Sequence, residues 1–360
     1  MRVLVALSGG VDSAVTAARL VAAGHQVSAV YLALNKFEEN DSVDAKGCGS
    51  LADSRDAALV AEKLGIDFEV WDFSKQFQTE VVDDFLSEYR AGRTPNPCLR
   101  CNKTIKFAAL LEHAIERGFD KIATGHYAKL VHSEGITQLW RADDKGKDQS
   151  YVLGVLSQEQ LRHCLFPLND TVKTQVRREA AHLKLGVANK PDSTDICFIP
   201  GGGTADYLNQ YLGNKEGEIV DTSGMCVGRH DGYHQFTIGQ RKGLHLGVPA
   251  ADGRPRYVLD IEPVSNTVIV GSKNQLGVVA FSCIRPSWTE KQLFGSWRGQ
   301  VQIRAHGAAL PATISTDSGD IRVTLDNPER GVAPGQSAVF YDADRVLGAA
   351  TISKTERVSA

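Results

Sequence analysis

Two rhythms of apolar residues run through the first third of the chain. Val3–Leu7, Val27–Ala33, Phe68–Phe73 and Lys121–Thr124 are short runs rich in β-branched and aromatic residues. Between them lie stretches whose apolar positions recur three and four apart, the period of a helix with one buried face. This spacing predicts helices over 13–23 and 53–64, stopped by Gly24 and Gly65, and further helices near 77–89 and 104–117. Strands alternating with helices read as βαβ units and a mainly parallel sheet. Asp170 or Thr171 is placed to cap another helix through Leu185, with Gly186 as its stop.

The texture changes after Pro200-Gly201-Gly202-Gly203. Short alternating runs follow at Tyr257–Ile261, Thr267–Val270, Val278–Phe281, Gln302–Ala305 and Ile321–Leu325, with helical periodicity scarce. Antiparallel β units are expected there. The chain thus divides into an α/β part over 1–200, a small central β-rich connector over 201–273 and a barrel-like β domain over 274–360. Its 360 residues are more than one domain of roughly 150 residues would use.

Charge excludes one class of function. The 40 Lys and Arg against 43 Asp and Glu leave a net charge of -3, so no whole-molecule attraction to nucleic acid exists. A polyanion would need a local patch, and one is present. Residues 51–89 hold ten acidic and three basic groups, whereas 90–106 hold Arg90, Arg93, Arg100, Lys103 and Lys106 with no acid. No apolar run approaches a membrane span, and the first one breaks at Ser8-Gly9-Gly10, so a cytoplasmic enzyme with no membrane partner is expected. Seven cysteines, at 48, 98, 101, 164, 197, 226 and 283, are an odd number in a chain too large to need disulfide staples, so reduced and reactive thiols are expected among them.

The β run from Leu4 delivers Ser8-Gly9-Gly10-Val11-Asp12-Ser13 into a helix. Two glycines let backbone N–H groups approach phosphate oxygens, and the helix start adds unpaired N–H groups and its dipole. Ser8 and Ser13 offer hydroxyls, and Asp12 suits an indirect Mg2+ ligand or an organiser of the loop. The string matches neither GxGxxG nor GxxxxGK[ST]. It resembles the pyrophosphate loop of ATP pyrophosphatases, with Ala6, Leu7, Ser8, Gly9, Gly10, Val11, Asp12 and Ser13 around the nucleotide and Leu32 and Gly125 bordering the adenosine. Taken alone, Cys98 and Cys101 in CxxC read equally as a metal knuckle completed by Cys48, Cys197 or His126, or as a redox pair.

Six ordered motifs extend the likeness: SGGVDS at 8–13, TPNPCLRCNKTIKF at 94–107, ATGHYA at 123–128, GKDQSYVL at 146–153, DSTDICFI at 192–199 and FTIGQRKGL at 236–244. Together they resemble the bacterial tRNA-uridine 2-sulfurtransferases, the tRNA-specific 2-thiouridylases. The resemblance implies an adenine-nucleotide α-hydrolase-like domain, a small central domain and a C-terminal β barrel that supports tRNA. It implies ATP-dependent 2-thiolation of the wobble uridine U34, with Mg2+ brought by the phosphates, no metal site built by protein side chains and no PLP. It makes Cys101 the catalytic nucleophile and Cys197 the persulfide carrier, forming a disulfide that a thiol reductant resets. Cys98 stands where many members carry Asp, which leaves its auxiliary role open. Asn96, Pro97 and Cys98 would face the target base. His126, Lys147, Asp148, Gln149, Arg304 and Gln336 would meet tRNA, with Arg241 and Lys242 as further phosphate contacts. Implied partners are tRNAs for Lys, Glu and Gln, and a cysteine desulfurase acting directly or through sulfur-relay proteins.

Competing readings come from other classes. A small-molecule ATP pyrophosphatase ligase would need an amino-acid pocket rather than the cysteine system. A zinc-stabilised RNA-binding module would hold metal without turning over.

Overall fold

A computed structural model describes residues 1–35, 50–192, 196–199, 203–248, 252–317 and 320–358. Cys48, one of the candidate metal ligands, lies outside the described residues.

The first strand β1 (Arg2–Ala6) enters α1 (Val11–Ala22), followed by β2 (Gln26–Ala33), α2 (Leu51–Leu64) and β3 (Asp67–Asp72). A long helical stretch then runs through α3 (Ser74–Phe77), a π-helical segment at Gln78–Val82, and α4 (Asp83–Arg90). A second combines α5 (Pro97–Cys101), a π-helical segment at Asn102–Ala109, and α6 (Leu110–Glu116). After β4 (Lys121–Ala123) come β5 (Ala128–Ser133), β6 (Ile136–Arg141), α7 (Ser150–Leu153), α8 (Gln158–Arg162), β7 (Cys164–Leu165), α9 (Lys173–His182) and α10 (Thr204–Leu212).

Strands β3-β2-β1-β4-β7 form a five-stranded sheet with every pair parallel. Both faces are covered, as such sheets require. Leu4, Val30 and Ile122 point into one core, with Phe77, Phe85, Leu99 and Ile105. Val3, Val5 and Ala29 point into the other, with Val15, Val60 and Val176. Strand order reverses between β2-β1 and β4, so a crevice opens at the carboxyl ends of β1 and β4, the usual binding place in an open α/β sheet.

Several boundaries differ from the sequence expectation. Helix α1 begins at Val11 rather than 13 because Gly10 is extended and its carbonyl already accepts from Ala14 N. The helix expected at 104 begins at Pro97, whose fixed φ suits a first turn, capped by the Asn96 side chain accepting from Cys98 N and Leu99 N. Neither Asp170 nor Thr171 caps α9. Val172 holds the cap position, the Asp144 carboxylate accepts from Lys173 N, and the Thr171 hydroxyl accepts from Arg19. That helix also stops at His182, short of Leu185 and Gly186.

The central region holds β8 (Gly217–Asp221), β9 (Cys226–His230), β10 (Tyr257–Glu262) and β11 (Thr267–Gly271), in sheet order β10-β11-β8-β9. The last region holds β12 (Val278–Trp288), β13 (Gly295–Gln302), β14 (Leu310–Asp317), β15 (Asp320–Glu329), β16 (Ser337–Asp342) and β17 (Arg345–Arg357). Pairing of β12 with β17 closes these six into a barrel around Phe281, Ile314, Val323 and Phe340. The expected strand at Gln302–Ala305 ends at Gln302, whose side-chain amide donates to the carbonyls of Arg304 and Ala305 and folds the chain into a turn.

Hairpin β5–β6 carries the barrel sheet outward. Trp140 pairs with Arg345 and Leu139 with Val346, so strands from the first 200 residues lengthen a sheet made by the last 85 or so. The same core cluster contains Leu139, Val339, Tyr341 and Val346 together with Leu99 and Cys101.

Candidate active site

A cavity of about 410 Å3 opens at the carboxyl ends of β1 and β4. The loop after β1 and the loop after β4 meet across it. A Cβ at Gly125 would fall 2.7 Å from Ser13 N and 2.8 Å from the Asp12 carbonyl carbon, so only glycine permits this approach. Gly9 has φ +72°, and a Cβ there would fall 2.4 Å from the Asp53 carbonyl oxygen. Both glycines therefore shape the rim.

Within the loop, the Ser13 hydroxyl accepts from Ser8 N (3.1 Å), donates to the Gly10 carbonyl (3.1 Å) and lies 3.2 Å from the Ser8 hydroxyl. Ser13 thus holds the loop shape. Gly10 offers no side-chain cap, which leaves the first N–H groups of α1 without side-chain capping at the cavity. Such an end favours an anion.

The charged lining is a chain of exchangeable pairs. Asp12 accepts from the Tyr127 hydroxyl (2.8 Å) and from Lys173 Nζ at both oxygens (2.7 and 2.6 Å). Lys173 Nζ also pairs with Asp192 (2.9 Å), which accepts from Lys147 (2.8 Å) and Arg177 (2.7 Å). Lys190 bridges Asp53 (2.6 Å) and Asp56 (2.5 Å) nearby. Burial opposes ionisation of Asp192, but hydrogen bonds from Lys147 and Lys173 hold its pKa down to about 2. The Tyr127 hydroxyl is pushed well above the usual phenol range by burial and by Asp12. It therefore stays a donor.

Of the predicted nucleotide residues, Ala6, Leu7, Ser8, Gly10, Val11, Asp12, Ser13, Leu32 and Gly125 line the cavity, and Gly9 packs behind it on Asp53. His126, Lys147, Asp148 and Gln149, expected at tRNA, line the same cavity. Burial and then Lys106 lower the His126 pKa to about 3, and its ring lies 5.7 Å from Phe107 and 6.2 Å from Phe166. Asp148 is almost fully buried, accepting from Arg141, Ala142 N and Ser150. Gln149 clamps Tyr127 through N–H and side-chain bonds of 2.8 and 3.0 Å. Both shape the wall. Arg304 donates to Glu329 and the Arg330 carbonyl, away from the cavity lining. Gln336 accepts from Ala333 N in a barrel turn, while Arg241 and Lys242 are exposed in the central region.

Sequence reasoning missed Lys173, Asp192, Lys190, Asp53 and His306. Asp12 and Lys173 stand 161 positions apart, so no local spacing signals their pairing. Asp192 had a signal, since it opens the DSTDICFI motif. His306 reaches the cavity from the barrel, on a turn tied back through Gln302 to Arg141 and so to Asp148.

The cysteine helix runs past this cavity. Lys106, on the π-helical segment that continues α5 beyond Cys101, lines it, and Phe107 touches His126. Cys98 is exposed at the first turn and Cys101 is buried. Cys197 is half-buried and packs on the core that contains Cys101, beside Phe198, whose ring meets Phe77, Phe85 and Tyr207 at 5.7, 5.3 and 5.6 Å. Cys164 and Cys283 are deeply buried, and burial raises both thiols far above their ordinary range. Among the described residues no three His, Cys, Asp or Glu side chains stand close enough to share a metal ion. No described helix is long and apolar enough to cross a membrane.

The parallel sheet, its glycine loop and the helix end at the switch point define an α/β nucleotide-binding domain of the HUP class, followed by a β-rich middle domain and a β barrel. Family models agree along the chain: "tRNA methyl transferase HUP domain" over residues 1–201, "tRNA methyl transferase PRC-barrel domain" over 205–272, and "Aminomethyltransferase beta-barrel domain" over 279–352. The tRNA-specific 2-thiouridylase MnmA of Cutibacterium acnes is 58% identical, covering 99% of this chain and 98% of its own. That of Acidothermus cellulolyticus is 55% identical over 100% and 99%, and that of Corynebacterium diphtheriae 52% over 99% and 100%. The chain belongs to the tRNA-specific 2-thiouridylase family, and it is an enzyme.

Proposed function

We propose that this enzyme uses ATP to replace the C2 oxygen of uridine 34 in tRNA with sulfur, releasing AMP and pyrophosphate. The observation that carries the reading is a single core: the helix holding Cys101 also supplies Lys106 to the phosphate-loop cavity, and Cys197 packs on that core. The methyl-transferase wording of two family models is set aside in favour of the name shared by full-length relatives.

A uracil C2 carbonyl is a poor electrophile. In the proposed first step its oxygen attacks the α-phosphorus of ATP, N3 loses its proton and pyrophosphate departs. The N-terminus of α1, Lys173 and Lys190 stabilise charge on the departing oxygens. The terminal sulfur of a Cys197 persulfide then attacks C2 and AMP leaves. The Cys101 thiolate attacks the Cys197 sulfur, so the S–S bond breaks, the thiocarbonyl forms as N3 takes a proton back, and a Cys101–Cys197 disulfide remains. Alternatively Cys101 first releases hydrosulfide, which attacks C2 and yields the same disulfide. Two electrons from a thiol reductant restore the enzyme. Cys98 is proposed as an auxiliary group near Cys101.

Mg2+ fits this site as a phosphate-borne ion. Asp12 keeps an acceptor position on the oxygen that meets only Lys173, its side chain is about a third exposed, and no cage of protein ligands competes among the described residues. When bound, the ion neutralises charge on the polyphosphate.

For tRNA we propose contacts at Asn96, Pro97, Cys98, His126, Lys147, Gln149, Arg304 and Gln336, with Asp148 as a positioning group. Residues 1–200 are assigned the chemistry, 201–273 the connection and 274–360 support of tRNA. A cysteine desulfurase, directly or through relay proteins, supplies the persulfide, and the enzyme works in the cytoplasm on tRNAs for Lys, Glu and Gln.

The test incubates the protein with unmodified tRNA, ATP, Mg2+ and a persulfide source, and locates sulfur by nucleoside mass spectrometry. Sulfur at U34 with matching AMP is expected. Cys197→Ser is expected to abolish persulfide capture, and Cys101→Ser to abolish completed thiolation while retaining tRNA binding. Full multiple turnover by both variants would overturn the mechanism.

A further inference from the structure

The basic run at 90–106 is only partly available to a polyanion. Arg93 is committed to Glu88 (2.6 and 3.0 Å), Arg100 to Glu80 (2.7 Å), and Lys106 lines the nucleotide cavity. Lys103 differs. Among the described residues its ammonium has no hydrogen-bond or ion-pair partner, although burial and the neighbouring Arg100 and Arg285 lower its pKa.

Lys103 lines a second cavity, of about 80 Å3, between α5 and barrel strands β12 and β17. One water needs roughly 10–15 Å3 measured this way, so the space suits a tetrahedral oxyanion or a few waters. From the barrel side Arg285 enters with φ +54°, at the register break between Ile284 and Ser287. A non-glycine residue in this region costs roughly 1 kcal/mol or more and is retained where surroundings fix it. Here Glu88 fixes it, accepting from Arg285 Nη2 at 3.0 Å while also holding Arg93. The bulge therefore presents a second cation to the cavity, one that already shares Glu88, as Arg100 in the same lining shares Glu80, so a phosphate there takes Lys103 directly and Arg285 in competition with Glu88. Asp84, the remaining acid in the lining, has no partner among the described residues, and burial raises its pKa. A carboxylate beside two cations would repel a bare phosphate, but it suits a phosphate that arrives with a hydroxyl donor. A ribonucleotide backbone supplies both groups, and its 2′-hydroxyl distinguishes RNA from DNA. Asn96 and Leu99, from the Cys98–Cys101 helix, complete the adjoining wall.

We propose that this cavity seats one backbone unit of the RNA flanking the thiolated nucleotide, with Lys103 and Arg285 on the phosphate and Asp84 accepting the 2′-hydroxyl. This assignment rests on the reading that tRNA is the substrate. A flanking anchor holds the strand while the target base is extruded, as base-flipping enzymes require.

The experiment measures binding of unmodified tRNA across a salt series for the wild type, Lys103→Met and Lys103→Arg, with thermal unfolding as a folding control. Lys103→Met is expected to weaken binding about 10-fold and to flatten the log–log salt slope by about one, with Lys103→Arg within about threefold of the wild type. ATP affinity stays unchanged in all three. Inorganic phosphate, lacking the ribose and its 2′-hydroxyl, is expected not to compete at millimolar levels, and effective competition would make this a free-phosphate site and overturn the assignment. In a second arm, single 2′-deoxy substitutions flank the target in an anticodon stem-loop. The wild type should lose about fivefold at one of them and Asp84→Asn should lose nothing further. If the wild type thiolates tRNA and Lys103→Met keeps its affinity and slope, the site is wrong while the function stands. If the wild type neither binds nor thiolates tRNA, both fall.

Discussion

The nucleotide cavity and the junction cavity use cations in opposite ways. In the first, Lys147, Lys173 and Lys190 each hold a carboxylate. In the second, Lys103 stands without such a partner beside Arg285. Pre-pairing keeps buried charges satisfied, because an uncompensated one is expensive. It also means that a polyphosphate must exchange partners with Asp12 and Asp192 rather than enter a vacant positive field. The junction cavity is smaller, and there Arg285 shares a carboxylate, Glu88, while Lys103 needs no exchange, which suits a singly charged phosphodiester.

Removing the centre of the paired network is the strongest way to break this contrast. Lys173→Met leaves Asp12 and Asp192 facing each other, and is expected to cost about 2–3 kcal/mol of stability and at least about 100-fold in ATP-dependent turnover. Denaturant unfolding and AMP release check the two effects. An unaltered turnover would mean that Lys173 serves the fold alone. Gly125→Ala tests the rim next. Its methyl meets backbone rather than a side chain that can move aside, so a loss of about 1–3 kcal/mol and a weaker ATP affinity are expected, measured by calorimetry.

The smallest effect is a titration. His126 should show no proton uptake near pH 6.5 in the folded enzyme, since burial and Lys106 favour its neutral form. The unfolded chain then binds the proton first as pH falls. This group's contribution to stability is therefore complete above about pH 6.5 and declines between there and the folded value of about 3. An imidazole NMR titration centred near 6.5 would refute it.

The phosphate loop was legible in the sequence because its parts are local: a β run, two glycines and a helix start within ten residues. The same holds for α2, which stops at Gly65 with φ +65° as expected. The cap of α9 was illegible because Asp144, outside the helix by almost thirty residues, supplies the acceptor. The β5–β6 hairpin went unseen for a related reason. His132, Ser133, Glu134 and Gly135 make its tip polar, and its apolar residues meet partners two hundred positions away. The motifs that carry Cys101 and Cys197 are local strings, and the fold packs both residues on one core, whereas the lysines and carboxylates that make the cavity were dispersed from Asp12 to Asp192.

That hairpin sets an order on biosynthesis. Leu139 enters the ribosomal tunnel about two hundred residues ahead of its strand partner Val346. The enzyme's first domain can build its parallel sheet while translation continues, since those pairings close within the first 165 residues. The wall formed by Leu139, Val339, Tyr341 and Val346 cannot close until β16 and β17 emerge. Contacts of such sequence separation slow folding. Completion of the Cys101 core is thereby deferred until β16 and β17 have been made.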